Sequence, residues 1–247
     1  MTIRPASDRS LHVVFGDRIA TDSYAAVTRL MHGLAGARGI LNLHPAYASV
    51  LIDFDPRRYT HEQMETLVRE RLELPSPPDP EPRQVDIPVE FGGECGPDLE
   101  DVARHTGLAP EGVVERFTAA VYEVYFVGFS TCFPYLGGLP AELATPRLSA
   151  PRKNVPEGSV AIGGQQAGVY PLASPGGWRL IGRTRLRLFD PQAVPPPLLR
   201  MGDRIRFVPE AQATGGGGLD ERRETLPEAR RKTLPEARRE TLPEVRG

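Results

Sequence analysis

Pro75-Ser76-Pro77-Pro78-Asp79-Pro80-Glu81-Pro82-Arg83-Gln84-Val85-Asp86-Ile87-Pro88 divides the chain in two. Its six prolines fix φ and remove backbone donors at a density that neither a helix interior nor a central strand tolerates. The stretch therefore predicts an extended linker over 75–88.

Outward toward the N-terminus, residues 1–74 predict a small α+β domain. Leu11-His12-Val13-Val14-Phe15-Gly16 is a short apolar strand, and Ser23 to Gly33 sets Tyr24, Val27, Leu30 and Met31 at helical spacing. Ile40-Leu41-Asn42-Leu43-His44 and Ser49-Val50-Leu51-Ile52-Asp53-Phe54 predict two strands turned at Pro45 and paired antiparallel. Thr60 then caps a helix carrying Met64, Leu67, Val68 and Leu72, with Gln63 as its capping-box partner.

Outward toward the C-terminus, residues 89–209 predict a second domain, opened by Val85-Asp86-Ile87-Pro88-Val89. One helix is expected from Asp98 to about His105 and another from Pro110 to about Ala119, Pro110 being suited to a first turn. Short apolar runs then alternate with Gly/Pro turns: Tyr122 to Phe129, Ser159 to Ile162, Gly168 to Leu172, Trp178 to Ile181, Leu186 to Phe189 and Arg204 to Val208. Strands at this spacing predict a barrel or sandwich. From Gly215 four glycines lead into near-copies of an eight-residue unit with Thr-Leu-Pro-Glu at Thr225, Thr233 and Thr241. Low apolar content and recurrent proline predict that 210–247 is a disordered, solvated tail; the other reading is a partner-binding array.

The 247 residues carry a net charge of −2, which offers no electrostatic case for nucleic acid or an anionic membrane. No run reaches the roughly 20 apolar residues of a membrane span, and Met1-Thr2-Ile3-Arg4-Pro5 lacks a signal-peptide core, so a cytoplasmic protein is expected. Cys95 and Cys132 are too few for a disulfide framework or an all-cysteine zinc site, and read as free thiols. Lysine occurs only at Lys153 and Lys232, and no Gly-x-x-x-x-Gly-Lys-Ser/Thr phosphate loop exists.

Three Gly/Pro-rich stretches stand out: Gly128 to Pro140, Gly158 to Pro171 and Ser174 to Trp178. Glycine pairs there serve tight barrel turns or the close approach of backbone to a ligand or another strand. The five histidines all precede the expected barrel, which leaves Glu142, Glu157, Asp190, Tyr135, Tyr170, Cys132 or Lys153 as candidate bases, none with an activating neighbour in sequence. Cys132 is either a nucleophile or an inert buried thiol. Arg147, Arg152 and Arg183 carry guanidinium forks that hold carboxylate or phosphate, or else serve structure. Tyr135, Tyr170 and Trp178 wall a pocket or fill a core. Gln166, set among glycines, can bring its amide to a ligand, and with Arg152 is expected at the barrel mouth.

In order, Phe133-Pro134-Tyr135-Leu136-Gly137-Gly138-Leu139, Leu143-Ala144-Thr145-Pro146-Arg147, Val155-Pro156-x-Gly158-Ser159-Val160, Tyr170-Pro171-Leu172-x-Ser174-Pro175-Gly176-Gly177-Trp178 and Ile181-Gly182-Arg183-Thr184 resemble the family of 5-oxoprolinase B subunits. That family includes a sporulation-kinase inhibitor and is similar to allophanate hydrolase subunit 1 and the carboxyltransferase region of urea carboxylase. The resemblance runs from about residue 10 to 209. It implies an N-terminal α+β domain followed by a cyclophilin-like β-barrel, companion subunits A and C, and ATP-dependent opening of 5-oxo-L-proline to L-glutamate. It also implies an alternative, an interaction protein that inhibits a sensor histidine kinase. Prolyl isomerisation does not follow, because a shared fold does not transfer function. The chain departs from the family at several places. Gly128-Phe129-Ser130-Thr131-Cys132-Phe133 stands where relatives read Gly-Phe-x-Pro-Gly-Phe, Phe117 replaces a common histidine, and Gln165 and Ala167 replace a Gly and a Thr around Gln166.

Overall fold

The structure, a computed structural model, describes residues 1–18, 20–74, 82–128 and 131–210. The expected tail beyond 210 and the proline-rich core of the linker, 75–81, lie outside the described residues.

The N-terminal lobe is a four-stranded antiparallel sheet with two helices. Strands β1 (Thr2–Ser7), β2 (Ser10–Val14), β3 (Ile40–Pro45) and β4 (Ser49–Phe54) lie in the order β1-β2-β4-β3, with helices α1 (Thr21–Leu34) and α2 (His61–Glu73) packed on it. Period-2 burial of Val50, Ile52 and Phe54 turns one face of β4 inward, where it meets Val27, Leu30 and Leu34 of α1 and Met64 and Val68 of α2. The Thr60 hydroxyl accepts from Gln63 N–H while the Gln63 side chain accepts from Thr60 N–H, completing the expected capping box. Strand β1 had no signal in the sequence, because an edge strand exposed at all but Ile3 and interrupted by Pro5 carries no apolar alternation.

The second lobe is a closed barrel. Strands β5 (Gln84–Phe91), β6 (Tyr122–Gly128), β7 (Phe133–Gly137), β9 (Ser159–Gly163), β10 (Gln166–Val169), β12 (Arg179–Arg183) and β13 (Arg204–Pro209) close in the order β10-β7-β6-β13-β5-β12-β9. Only β5 and β13 run parallel. Short strands β8 (Arg152–Val155) and β11 (Ser174–Gly176) pair outside the barrel. Helices α3 (Leu99–Thr106) and α4 (Pro110–Ala119) pack against β12 and β13. Phe117 of α4 is fully buried against Phe207 (ring centroids 4.8 Å) and Tyr122 (5.1 Å). Phe117, one of the departures from the resembled pattern, is thus a core residue.

Three expectations are corrected. The linker does not reach 88: β5 begins at Gln84, and Pro88 is tolerated where only β13 pairs with the strand, since β12 reaches only Glu90 and Phe91. Leu186 to Phe189 is no strand; Phe189 makes one isolated bridge to Pro197, because Pro191 and Pro195-Pro196-Pro197 deny a ladder its donors. The run from Gly168 ends as a strand at Val169, just before Tyr170-Pro171.

Candidate functional site

The Gly/Pro-rich stretches converge on Trp178. A β-carbon on Gly163 would fall 2.4 Å from its indole, and one on Gly168 would fall 2.6 Å from the Phe133 ring and 3.0 Å from Trp178. These glycines therefore make room for stacked rings. Gly164, at φ +67°, turns β9 into β10 and delivers Gln166, which is 8% exposed.

Around Trp178 stand Phe133 (5.4 Å between centroids) and Tyr135 (5.9 Å), both edge-on, with Tyr170 5.0 Å from Phe133. The Arg147 guanidinium lies 5.4 Å from the indole centroid, a cation–π contact on the exposed flank of the group. The structure thus brings together Arg147, Tyr135, Trp178 and Tyr170, with Gln166 on β10 opposite Gly163. Burial raises the pKa of the Tyr135 phenol, opposed by Arg147, and that of Tyr170, opposed first by a backbone hydrogen bond at Trp178. Both phenols stay protonated and serve as donors at neutral pH.

Arg152 stands behind this group, committed elsewhere. Its Nη2 donates to Asp98 Oδ1 (2.7 Å), and the other Asp98 oxygen accepts from Leu180 N–H (2.7 Å). Asp98 is 4% exposed at the start of α3, so the pair fastens helix to barrel. Arg152 Nη1 is buried without a partner. Arg183 is not brought to the group: it lies four residues along β12 from Arg179, about 13 Å at strand rise, with Nε on the Glu157 carbonyl (2.9 Å). Burial pushes the Cys132 thiol up, which favours the inert reading over a nucleophile. Glu142 is paired with Arg116 (2.7 Å), and Lys153 is exposed. No metal-binding group of three ligands occurs among the described residues.

Tyr47, which no sequence motif marks, enters the group from the N-terminal lobe. It lies 4.7 Å from Phe126 and 5.7 Å from Tyr135, ring to ring. The only signal for it is a large aromatic flanked by two alanines at a hairpin tip. Two cavities of about 460 and 470 Å³ lie between the lobes and share Met31, Leu43 and Met201, the first of them lined also by Phe126.

The departures from the family pattern leave the group intact. Ala167 is fully buried in β10, and Gln165 is exposed in the turn without a positive φ. Residues 1–199 match the family described as carboxyltransferase domain, subdomain C and D. The chain belongs to that family. It is 40% identical over 223 residues to the 5-oxoprolinase B subunit of Bacillus subtilis (strain 168), covering 83% of this chain and 91% of that protein. It is 57% identical over 134 residues to the 5-oxoprolinase B subunit of Escherichia coli O157:H7, covering 54% of this chain and 62% of that one. The crystal structure of TTHA0988 superposes with a TM-score of 0.74 at 35% identity, over 84% of this chain and 41% of that longer one. No helix among the described residues is long and apolar enough to cross a membrane.

Proposed function

We propose that this chain is the B subunit of an ATP-dependent 5-oxoprolinase, which with subunits A and C opens 5-oxo-L-proline to L-glutamate in the cytoplasm. The observation that carries the reading is the 40% identity to a B subunit over 83% of this chain, and the chemistry of the Trp178 group supports it.

The substrate is a five-membered lactam bearing one carboxylate. Arg147 has no carboxylate partner among the described residues, so its fork is available to the substrate carboxylate. The Gln166 amide can donate to the lactam oxygen and accept from the lactam N–H. The Tyr135 and Tyr170 phenols are donors, and Trp178 and Tyr135 wall the ring. Arg152 supports this wall through Asp98, and Arg183 lies outside it.

The lactam is resonance-stabilised, and ATP supplies the driving force by phosphorylating its oxygen. The space beside Gly163, Gly168 and Gly176 is filled by rings, and Lys153 is solvent-exposed. This chain's part is to bind and orient the lactam. Without an activated base beside Trp178, the chain is inactive alone and its site is completed by partner subunits, in keeping with the 41% share of TTHA0988 that it matches.

Coexpression with subunits A and C should give glutamate release that requires ATP, 5-oxo-L-proline and this chain. Full activity from A and C alone, or none from all three, would overturn the assignment.

A further inference from the structure

The two cavities between the lobes meet at Met31, Leu43 and Met201 and so form one cleft with two unlike ends. One end, of about 460 Å³, is walled by Pro45 at the end of β3 and by Phe126 and Val127 of β6. The other, of about 470 Å³, is walled by Arg83, Glu123, Arg200, Asp203 and Arg204. Volumes of this order suit a small molecule. The walls are fixed against each other beside the cleft, where Tyr24 of α1 donates to Glu123 Oε1 (3.0 Å) and stacks on Tyr125 (4.2 Å between centroids).

Charges at the polar end do not cancel. Asp203 is 1% exposed, and Arg83 takes both of its oxygens, Nε on Oδ1 (2.8 Å) and Nη2 on Oδ2. The Arg200 guanidinium comes no nearer to that carboxylate than 3.5 Å. Glu123 stands opposite Arg204 across β6 and β13, where unlike charges ordinarily pair. Yet Glu123 accepts from Tyr24, and Arg204 makes no ion pair among the described residues. Three guanidinium groups thus face two carboxylates, which leaves one positive charge without a counterion. Water can hydrate Arg200 and Arg204, but it leaves the apolar surface of Met31, Leu43, Phe126 and Met201 uncovered. What satisfies both ends is a molecule with one anionic group and an apolar body.

We propose that the cleft binds a small amphipathic carboxylate. Its head lies on the forks of Arg204 and Arg200, which match a planar carboxylate, and one unmatched charge suits a monoanion better than a phosphate monoester. Its body runs past Met31 and Met201, whose flexible thioethers adapt to its shape, toward Phe126. This site goes beyond the 5-oxoprolinase reading and does not depend on it. Because Met31 and Leu43 belong to one lobe and Phe126, Met201 and Arg204 to the other, a bound ligand fastens the lobes and stabilises the folded chain.

The test uses the full chain, with octanoate as the probe and acetate, octylamine and octyl phosphate as comparisons, read by calorimetric titration and by the thermal midpoint. Octanoate should bind and raise the midpoint, while acetate, without the body, and octylamine, without the anion, bind at least about tenfold more weakly. Arg204→Ala should weaken octanoate about tenfold or more and leave the ligand-free midpoint unchanged, since this exposed side chain holds no partner. Met201→Trp, which fills the space common to both ends, should abolish octanoate binding in a chain that still melts cooperatively. No octanoate binding at millimolar concentration overturns the proposal, as does binding that neither variant weakens. Acetate binding as tightly as octanoate overturns the part given to the apolar end, and tighter octyl phosphate overturns the carboxylate.

Discussion

The brace around Asp98 and the group around Trp178 lie side by side, with Tyr170 within electrostatic reach of both Arg152 and Arg147. Both are built from arginines and polar side chains, yet they are completed differently. Around Asp98 each carboxylate oxygen has its donor, one from Arg152 and one from the Leu180 backbone, and the one group left open is Arg152 Nη1. The neighbouring Asp101 holds Arg104 (2.8 Å) and Arg179 (3.0 Å). Around Trp178, Arg147 has a ring face and no anion among the described residues. Polar groups that satisfy one another hold a fold together. Groups left open at a convergent point are where a ligand supplies what is missing.

The contrast breaks most visibly, or holds, at Arg152. Arg152→Ala leaves Asp98 buried with its Leu180 contact alone, and stranding a buried carboxylate costs about 3–5 kcal/mol. The thermal midpoint should fall by about 6–20 °C, and Arg152→Lys should recover part of that, because a charge without a fork still reaches Oδ1. If the midpoint holds while kcat/KM of the assembled enzyme collapses, Arg152 belongs with the open groups and the division between brace and site is drawn in the wrong place.

Arg147→Ala is the opposite case. Its structural loss is a cation–π contact at an exposed site, about 0.5–1 kcal/mol, so the midpoint should move by no more than about 4 °C. Its functional loss is a charged hydrogen bond to the substrate carboxylate, about 1.5–3 kcal/mol, or roughly 10- to 150-fold in KM for 5-oxo-L-proline. A KM within about twofold of wild type would remove Arg147 from the site.

What the sequence disclosed follows the range of the interactions involved. The Thr60–Gln63 cap and the Pro110 helix start are contained within a few residues, and both stand where the residues place them. Strands β1 and β7 were hidden by Pro5 and Pro134, whose missing donors argue against a strand until the neighbouring strands are known. Of the group around Trp178, Tyr135, Gln166, Tyr170 and Trp178 itself were legible as candidates because they sit in stretches dense with glycine and proline. Arg152 and Arg183 carry the same signal but not the same place, since what assigns Arg152 is Asp98, 54 residues away. Tyr47 was illegible for the same reason, its partners all lying in the other lobe.

The smallest effect tests the turn into β7, where the chain departs from its family. Cys132 has φ +63°, and it is the only residue besides glycines with positive φ among those described. A side chain in this left-handed conformation crowds the following carbonyl, at a cost of about 1–2 kcal/mol. Cys132→Gly relieves that strain and loses about 0.5–1 kcal/mol to the greater freedom of glycine in the unfolded chain. The net gain is then about 0.5–1 kcal/mol, a midpoint rise of roughly 1–4 °C. Cys132→Ala is the control, since alanine keeps the β-carbon and the strain while removing the thiol. The measured quantity is the difference between the two variants: a glycine variant more stable than the alanine variant locates the effect in the backbone. Equal midpoints would show that the strain at Cys132 is no larger than the conformational freedom that glycine costs.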